Sequence, residues 1–342
     1  MKDIKVLGID LAKNVFQLHG TDELGRALIK KRLSRQRLFE FLAMLKPCLI
    51  GIEACGGAHY FAREFQKRGH EVKMMAPSYV KAYVVGNKND GNDAAAIAEA
   101  VTRPRTRFVP IKNTQQQSIL MLHRVRQQWI KQRTALSNQI RGLLLEYGVV
   151  IPKGLSHVRN QLAGIIEDAE NTLCFMARGA FDDLREQFHQ LDKRVAQYDK
   201  KIEAVARDNE SCQRLLAIEG IGPISATALV ATIGDVSVFK NGRHLAAYLG
   251  LVPKQKSSGN KIILQGISKR GDAYLRRLLI HGARAVVQHC KKKKDKRSQW
   301  IARKLETSHP NVVSVAVANK NARIVWALLV NKEPYHRPVN TF

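Results

Sequence analysis

The chain has 342 residues, and 57 lysine and arginine residues against 29 aspartate and glutamate residues give it a formal net charge of +28. Such a surplus repels itself in a compact state and favours binding to a polyanion, for which nucleic acid is the first candidate and a membrane surface the alternative. We expect no membrane partner, because no apolar run of about 18 residues, signal peptide or lipidation motif is found. The five cysteines are scattered without a CxxC pair, which favours a reducing cytoplasm over a structural zinc site.

The N-terminal third alternates predicted strands and helices. Three strands joined by tight connections, "IKVLGID", "VFQLHG" and "ALIKKRL", predict antiparallel pairing. Ser34 is the expected N-cap of the helix "RQRLFEFLAML". The strand "LIGIEA", the helix "HYFAREFQKRG", the strand "EVKMMAP" and the helix "SYVKAYV" follow. This order predicts a mixed sheet with helices on its faces.

Two long helices are predicted next. The first covers about Thr114 to Tyr147 and has no glycine or proline before Gly142. The second has apolar residues whose spacing alternates between three and four, namely Phe181, Leu184, Phe188, Leu191, Val195, Tyr198, Ile202 and Val205. This heptad seam predicts an antiparallel coiled-coil arm that also serves as an oligomer contact. The alternative is that both helices pack on the globular domains.

The pattern changes again from about Ser211. A glycine turn, "GIGP", lies between two short helical segments and is of a kind that can direct backbone N–H groups at a phosphate. A loop rich in Gly, Ser and Lys and the basic helix "DAYLRRLLIHGARAVVQHC" follow. We interpret "KKKKDKR" at 291–297 as a solvated charge block that contacts a nucleic-acid backbone.

Four acidic residues are predicted to converge. Asp10 and Glu53 end buried strands, and Asp90 and Asp93 begin a helix, where the i, i+3 spacing puts them on one face. Clustered carboxylates repel one another unless a cation lies between them, and hard divalent ions prefer such oxygen ligands. We therefore predict a metal site with Mg²⁺ (or Mn²⁺). Taken singly, Asp90 and Asp93 are equally consistent with helix capping and a favourable dipole interaction.

The blocks "LGIDLAKNVFQLHG", "IGIEACGGAHYFARE" and "KNDGNDAAAIAEA" resemble the ordered motifs of DEDD transposases of bacterial insertion sequences. The family is the one numbered one hundred and ten, which includes the Piv-like DNA invertases. The stretches "AIEGIGPISA", "AAYLGLVPKQKSSGNK" and "GISKRGDAYLRRLLIHGARA" resemble its C-terminal transposase domain, so the likeness covers nearly the whole chain.

The resemblance implies three parts. These are an α/β RuvC-like (RNase H-like) DEDD domain over 1–110, a helical coiled-coil region over 111–208, and a mainly α transposase domain over 209–342. The last would hold a helix-hairpin-helix-like segment and a serine loop. The family also implies a cytoplasmic bacterial recombinase that forms a homo-oligomer (dimer or tetramer), acts on donor and target DNA, and is guided by a structured RNA from its own element.

Three serines are candidates for the nucleophile: Ser257, Ser258 and Ser268. A serine that attacks DNA needs an exposed position and nearby positive charge, which Gly259 and the surrounding lysines supply. Ser268 precedes a helix and is interpreted as its N-cap. The resemblance places the nucleophile at the Ser-Gly step, Ser258, and Ser257 stays a rival. The predicted nucleic-acid contacts are Lys254, Lys256, Lys261, Lys269, Arg270, Arg276 and Arg277.

Other functions fit parts of the sequence. A RuvC-like junction nuclease would use metal-activated water and leave the C-terminal third unexplained. An actin-like ATPase is suggested by "GIDLAK", but no further Gly-rich nucleotide loop is found. A binding protein without catalysis would have no reason to gather four acids in a basic chain. A recombinase explains the most features.

Overall fold

The computed structural model describes residues 3–84, 90–259 and 261–335. Two units are formed, Met1–Thr114 and Gln115–Phe342. The first ends close to the predicted boundary at residue 110. The predicted boundary between 111–208 and 209–342 lies inside the second unit and stays a prediction.

A mixed sheet forms the centre of the first unit. Its strands are β1 (Val6–Asp10), β2 (Val15–Thr21), β3 (Ala27–Ser34), β4 (Leu49–Glu53), β5 (Glu71–Met75) and β6 (Phe108–Val109). They lie in the order β3-β2-β1-β4-β5-β6. The antiparallel pairing of β1, β2 and β3 is confirmed, while β1, β4 and β5 are parallel. The sequence analysis missed β6, whose two residues are too few for a pattern.

Helices cover both faces of this sheet. They are α1 (Arg35–Met44), α2 (Ala58–Gln66), α3 (Pro77–Val80, continued by a 3₁₀ turn) and α4 (Asp90–Thr102). Ser34 is the N-cap residue of α1, as predicted, but its side chain makes no capping hydrogen bond. Because side chains alternate along a strand, Leu7 and Ile9 pack towards α1 and α2, whereas Gly8 faces α4. The mixed α/β sheet domain is thus confirmed.

The second unit begins with three helices, α5 (Thr114–Leu145), α6 (Leu155–Glu167) and α7 (Phe175–Asp208). The two long helices were predicted, and α6, in the connection between them, was not. Ion pairs join α5 to α7 at Arg126–Asp199 and at Arg133–Asp192, seven residues apart on each helix. The residue numbers rise on one helix as they fall on the other, so the two helices run antiparallel.

The predicted heptad seam on α7 is largely occupied within the chain. Five of its eight residues are buried: Phe181, Phe188, Leu191, Val195 and Ile202. Three of them join residues of α5 and α6 in one apolar cluster. The buried residues of the seam therefore pack within one chain, and the predicted oligomer contact stays a prediction.

The rest of the second unit is mostly helical, as predicted. Its helices are α8 (Glu210–Leu216), α9 (Pro223–Ile233), α10 (Gly242–Tyr248), α11 (Ala273–His289), α12 (Lys296–Thr307) and α13 (Pro310–Asn331). They share one apolar core, to which α13 contributes Val317 and Val325. Among the described residues, α13 alone is long and apolar enough on average to cross a membrane, and 44% of its most apolar window is buried in the fold. Its buried residues, among them Val317 and Val325, lie in the core of the second unit.

A buried histidine joins α5 to this core. His123 is 1% exposed, and its two ring nitrogens lie 2.9 Å from the Tyr274 hydroxyl and 3.0 Å from Thr227 Oγ1. The Thr227 hydroxyl donates to the Pro223 carbonyl at 2.8 Å, so it has no second proton to give. His123 therefore donates from Nε2 and accepts from Tyr274 at Nδ1. Burial, and then the charge of Arg126, lowers the pKa of His123 to about 4.

Candidate active site

Two of the predicted metal-binding acids lie side by side at one edge of the sheet. Asp10 is the last residue of β1 and Glu53 the last residue of β4. The two strands are parallel neighbours, and Ile9 pairs with Ile52, so the next residue on each strand reaches the same edge. Both acids are half-buried. The predicted convergence of the strand ends is confirmed for this pair.

Helix α4 approaches the same strand at a glycine. A Cβ atom on Gly8 would lie 2.2 Å from the Ala94 carbonyl oxygen and 2.6 Å from the Ala98 nitrogen. Only glycine permits this separation between strand and helix. The contact seats the first turns of α4, including the half-buried Asp93, against β1. The side chain of Asp90 lies outside the described residues.

The thiol of Cys55, one of the five scattered cysteines, lies near the acids at this edge and is exposed. Burial, and then the carboxylates of Glu53 and Asp10, raises the pKa of Cys55 above its ordinary value. Cys55 follows Glu53 by two residues, which was the available signal. The effect of both acids on one sulfur indicates that their negative charge is concentrated there.

These acids have the right chemistry for a hard cation, since adjacent carboxylates are the ligands that Mg²⁺ and Mn²⁺ take. Within residues 3–84, 90–259 and 261–335, no group of three or more His, Cys, Asp or Glu side chains is close enough to hold a metal ion. The four-acid metal site therefore stays a prediction, and Asp10 and Glu53 are the two of its residues that end neighbouring parallel strands.

The predicted serine loop is a two-stranded ribbon. Strands β7 (Pro253–Gln255) and β8 (Leu264–Ile267) pair antiparallel, and a bridge joins Ser258 to Lys261 beyond them. At the turn, the Lys261 N–H donates to the Ser258 carbonyl at 3.2 Å, and Gly259 has a φ of +55°. A positive φ at the second residue of the turn, here Gly259, is typical of tight hairpins. The loop predicted here is therefore bounded by two short strands that were not predicted, and Ser258 and Gly259 lie at its turn.

The two neighbouring serines differ in their hydrogen bonds. The Ser257 hydroxyl accepts from Gln255 Nε2 at 3.0 Å and from the Ile263 N–H at 3.4 Å across the ribbon. Within the described part of the chain, the Ser258 hydroxyl makes no hydrogen bond, and the residue is exposed. Ser257 thus stabilises the ribbon, while the Ser258 hydroxyl is exposed beside the turn.

Ser268 is not the helix N-cap. Asp272 caps α11, and its carboxylate accepts from the Tyr274 N–H at 2.7 Å and the Leu275 N–H at 3.1 Å. An ionised carboxylate at the positive end of the helix dipole is the better cap. The Ser268 hydroxyl accepts only a long bond, 3.4 Å, from the Arg270 N–H.

The predicted nucleic-acid contacts are not equivalent. Six of the seven side chains are exposed: Lys254, Lys256, Lys261, Lys269, Arg270 and Arg277. The seventh, Arg276, is half-buried and donates to the carbonyls of Leu249 and Arg270 at 3.4 and 3.2 Å. Arg276 therefore holds the base of the ribbon, and the other six stay predicted contacts.

The glycine turn between α8 and α9 packs on α11. A Cβ atom on Gly282 would lie 1.8 Å from the Gly220 carbonyl oxygen, so the two backbones are in direct contact. The N–H of Ile221 donates to the Ile218 carbonyl at 3.0 Å and is not directed outwards. The two short helices around the turn are confirmed, and Gly222 is its exposed residue.

The charge block at 291–297 is solvated only in part. Lys291, Lys292, Lys293 and Lys294 are exposed, whereas Arg297 is 9% exposed. Arg297 donates to the side-chain oxygen of Asn321, whose amide donates to the Glu219 carbonyl at 3.0 Å. The interpretation of Arg297 as solvated was wrong, because α13 supplies a buried acceptor.

Two family models match the chain. A DEDD transposase model of the IS110 group, described as a transposase, matches residues 7–149. A model described as the transposase IS116/IS110/IS902 family matches residues 212–299. The first contains the sheet with its acids, and the second contains the ribbon with its serines.

Full-length relatives agree with these matches. A probable family 20 transposase of Pseudomonas aeruginosa is 46% identical over 333 residues, which cover 97% of this chain and 98% of the relative. The transposase for insertion sequence element IS1111A of Coxiella burnetii is 44% identical over 335 residues, covering 98% and 92%. The transposase for IS1328 of Yersinia enterocolitica is 39% identical over 328 residues, covering 96% and 97%.

A mixed sheet with acids at one edge, joined to a mostly helical region, defines a DEDD transposase, an enzyme that cleaves and transfers DNA strands. The chain belongs to the IS110 family of insertion-sequence transposases. The resemblance found in the sequence is thereby confirmed.

Proposed function

We propose that this transposase is a site-specific recombinase that cuts and rejoins DNA through Ser258. One observation carries the assignment. The Ser258 hydroxyl is exposed and makes no hydrogen bond within the described part of the chain, whereas the Ser257 hydroxyl is engaged twice. A nucleophile must be accessible and uncommitted before substrate arrives.

The reaction is a phosphoryl transfer to serine. A bond forms between Ser258 Oγ and the phosphorus as the bond from phosphorus to one deoxyribose oxygen breaks. Overall, the serine proton ends on the leaving sugar hydroxyl. The phosphoserine diester conserves the energy of the broken bond, so a sugar hydroxyl of the second DNA can reverse the step and rejoin the strands. Lys254, Lys256 and Lys261, all exposed on the ribbon, would hold the scissile phosphate.

The acids of the first unit would act on the same phosphate. Asp10, Glu53, Asp90 and Asp93 would hold Mg²⁺ or Mn²⁺ in a RuvC-like domain. When bound, the cation would supply charge stabilisation and assist deprotonation of the attacking hydroxyl. The support is the adjacency of Asp10 and Glu53 and the seating of α4 at Gly8.

The partners follow from charge and family. A net charge of +28 suits a nucleic-acid partner, and the family resemblance implies donor and target DNA together with a structured guide RNA from the same element. A homo-oligomer, dimer or tetramer, would bring two DNA molecules together. The coiled-coil arm, built from α5 and α7, would set the spacing between subunits through a surface other than its occupied seam.

Trapping the covalent intermediate tests the nucleophile. End-labelled DNA bearing the element junction is incubated with Mg²⁺ and the purified protein with its co-purified RNA, and denaturing gels are read for a protein–DNA adduct. Ser258→Ala should abolish the adduct and cleavage while leaving DNA binding nearly unchanged. Ser257→Ala, the matched control, should keep the adduct and only loosen the ribbon.

The junction nuclease is the alternative, and the same gels distinguish it. If cleavage persists without an adduct in both serine variants, water is the nucleophile. An adduct that survives Ser258→Ala and disappears in Ser257→Ala would shift the assignment by one residue. RNA guidance has a separate readout: sequencing of co-purified RNA should recover one element-encoded species, and random host RNA would argue against a guide.

A further inference from the structure

The ribbon exposes large apolar side chains. Ile262, Ile263 and Leu264 are 73%, 41% and 64% exposed. Every residue of β7 and three of the four in β8 are exposed, so neither face of the ribbon is covered. A two-stranded ribbon alone is marginally stable in water, and adjoining exposed apolar residues mark an interaction site.

The charge around these residues indicates the partner. Residues 252–271 contain no acid and five basic residues, all of them exposed: Lys254, Lys256, Lys261, Lys269 and Arg270. An apolar tip surrounded only by cations complements a polyanion with an apolar interior. Duplex DNA has both properties, with phosphates outside and stacked bases inside, and β-ribbons bind in its major or its minor groove.

The apolar residues lie across the ribbon from residues 255–257, and Leu264 pairs with Gln255. The Ile263 carbonyl accepts from the Lys256 N–H at 3.0 Å, and the Ile263 N–H donates to the Ser257 hydroxyl. Ribbon residues and stacked bases both repeat at about 3.3–3.4 Å. Because Ser258 lies opposite Lys261, side chains at 262 and 264 would lie about one and three base steps from a phosphate at Ser258.

The base of the ribbon is held firmly. A Cβ atom on Gly250 would lie 2.1 Å from the Arg270 carbonyl oxygen, and one on Gly271 would lie 1.9 Å from that of Tyr248. The Ser268 N–H also donates to the Val252 carbonyl at 2.8 Å. These backbone contacts hold the ribbon rigidly on the helices beneath it. A rigidly held tip can distort a bound duplex.

We propose that Ile262 and Leu264 insert between base pairs beside the phosphate attacked by Ser258. This inference rests on the proposed function. Apolar wedges that unstack a base step bend the duplex and widen the contact with protein. Here the insertion would open the duplex at the cleavage site and select sites whose central step unstacks easily.

The test uses 2-aminopurine, a base whose fluorescence rises when it is unstacked, at each position flanking the cleavage site. Binding of Ser258→Ala protein with its co-purified RNA should raise the fluorescence severalfold at one or two positions. Adding Ile262→Ser and Leu264→Ser should remove the rise. With Ser258 restored, the same double change should slow adduct formation by about tenfold or more.

The matched control is Val150→Ser with Val312→Ser, which removes apolar side chains that are 71% and 60% exposed outside the ribbon. It should change neither fluorescence nor adduct rate. No fluorescence rise with bound Ser258→Ala protein would overturn the insertion, while an adduct from the wild-type chain would leave the proposed function intact. A double variant that keeps the rise but sediments as a smaller species would assign the ribbon to a second copy of the chain and also overturn the inference.

Discussion

Replacing Gly8 by alanine should displace α4 relative to the acids at the edge of the sheet. The added Cβ atom would lie 2.2 Å from the Ala94 carbonyl oxygen, a backbone atom that cannot rotate away. An ordinary contact between these atoms needs a little over 3 Å, so α4 must retreat by about 1 Å. The retreat moves Asp93 relative to Asp10.

The size of the effect follows from that displacement. Overpacking at a buried backbone contact costs about 1–3 kcal/mol, which leaves a protein of ordinary stability folded. A shift of about 1 Å in a catalytic constellation lowers rates by about 100-fold. We therefore expect Gly8→Ala to lose far more cleavage activity than stability.

Gly142→Ala is the matched control. Gly142 lies inside α5, and a Cβ atom there has no neighbour within 4 Å. Alanine is the better helix former by about 1 kcal/mol, so this variant should be at least as stable as the wild-type chain and equally active. Urea unfolding followed by circular dichroism gives stability, and the initial rate of strand cleavage gives activity. A Gly8→Ala protein that cleaves at the wild-type rate would refute the reasoning about α4.

Three further predictions concern the second unit and the charge. Asp192 accepts from Arg133 and Arg159, each at 2.7 Å, so Asp192→Asn should lower the free energy of unfolding by about 2 kcal/mol. Asp182→Asn disturbs an exposed ion pair and should change the free energy of unfolding by less than about 0.5 kcal/mol. Burial holds the pKa of His123 at about 4, below the 6.5 of an exposed histidine, so the unfolded chain takes up the proton first as the pH falls. The stability present above pH 6.5 should therefore fall by about 2 kcal/mol between pH 7 and pH 5. Urea titrations at both pH values measure this loss, and His123→Gln should flatten it. The logarithm of the DNA association constant should fall linearly with the logarithm of the salt concentration. An association constant that does not change with salt would contradict a phosphate-dominated interface.

The sequence predicted the sheet and two of its acids because each depends on a local pattern. Short apolar runs separated by turn signals gave β1 to β5, and an acid directly after a buried run gave Asp10 and Glu53. The neighbouring positions of β1 and β4 follow from parallel pairing across a crossover. By contrast, β6 and α6 have no comparable signal, since one is two residues long and the other lies between two longer helices.

The errors arose where a distant residue determines the environment. Arg297 belongs to a run of charges, and nothing near it in sequence indicates that Asn321 will accept its hydrogen bond in the core. Ser268 and Asp272 are both plausible caps by type, and the choice depends on where α11 begins. Strands β7 and β8 were not predicted, since Ile262, Ile263 and Leu264 are consecutive, whereas apolar residues in a strand with one buried face would alternate.

The positions of two glycines indicate where another element packs against the sheet, and this signal was not used in the prediction. Gly8, in "VLGID", and Gly51, in "LIGIE", interrupt buried strands where a turn is impossible, which indicates close approach of another element. The approaching element is α4 in both cases: its Ala94 and Ala98 meet Gly8, and its Val101 meets Gly51. Because α4 begins with the predicted acids, the glycines fix which edge of the sheet those acids can reach. The close packing that glycine allows thus links a structural feature of two strands to the placement of the candidate catalytic carboxylates.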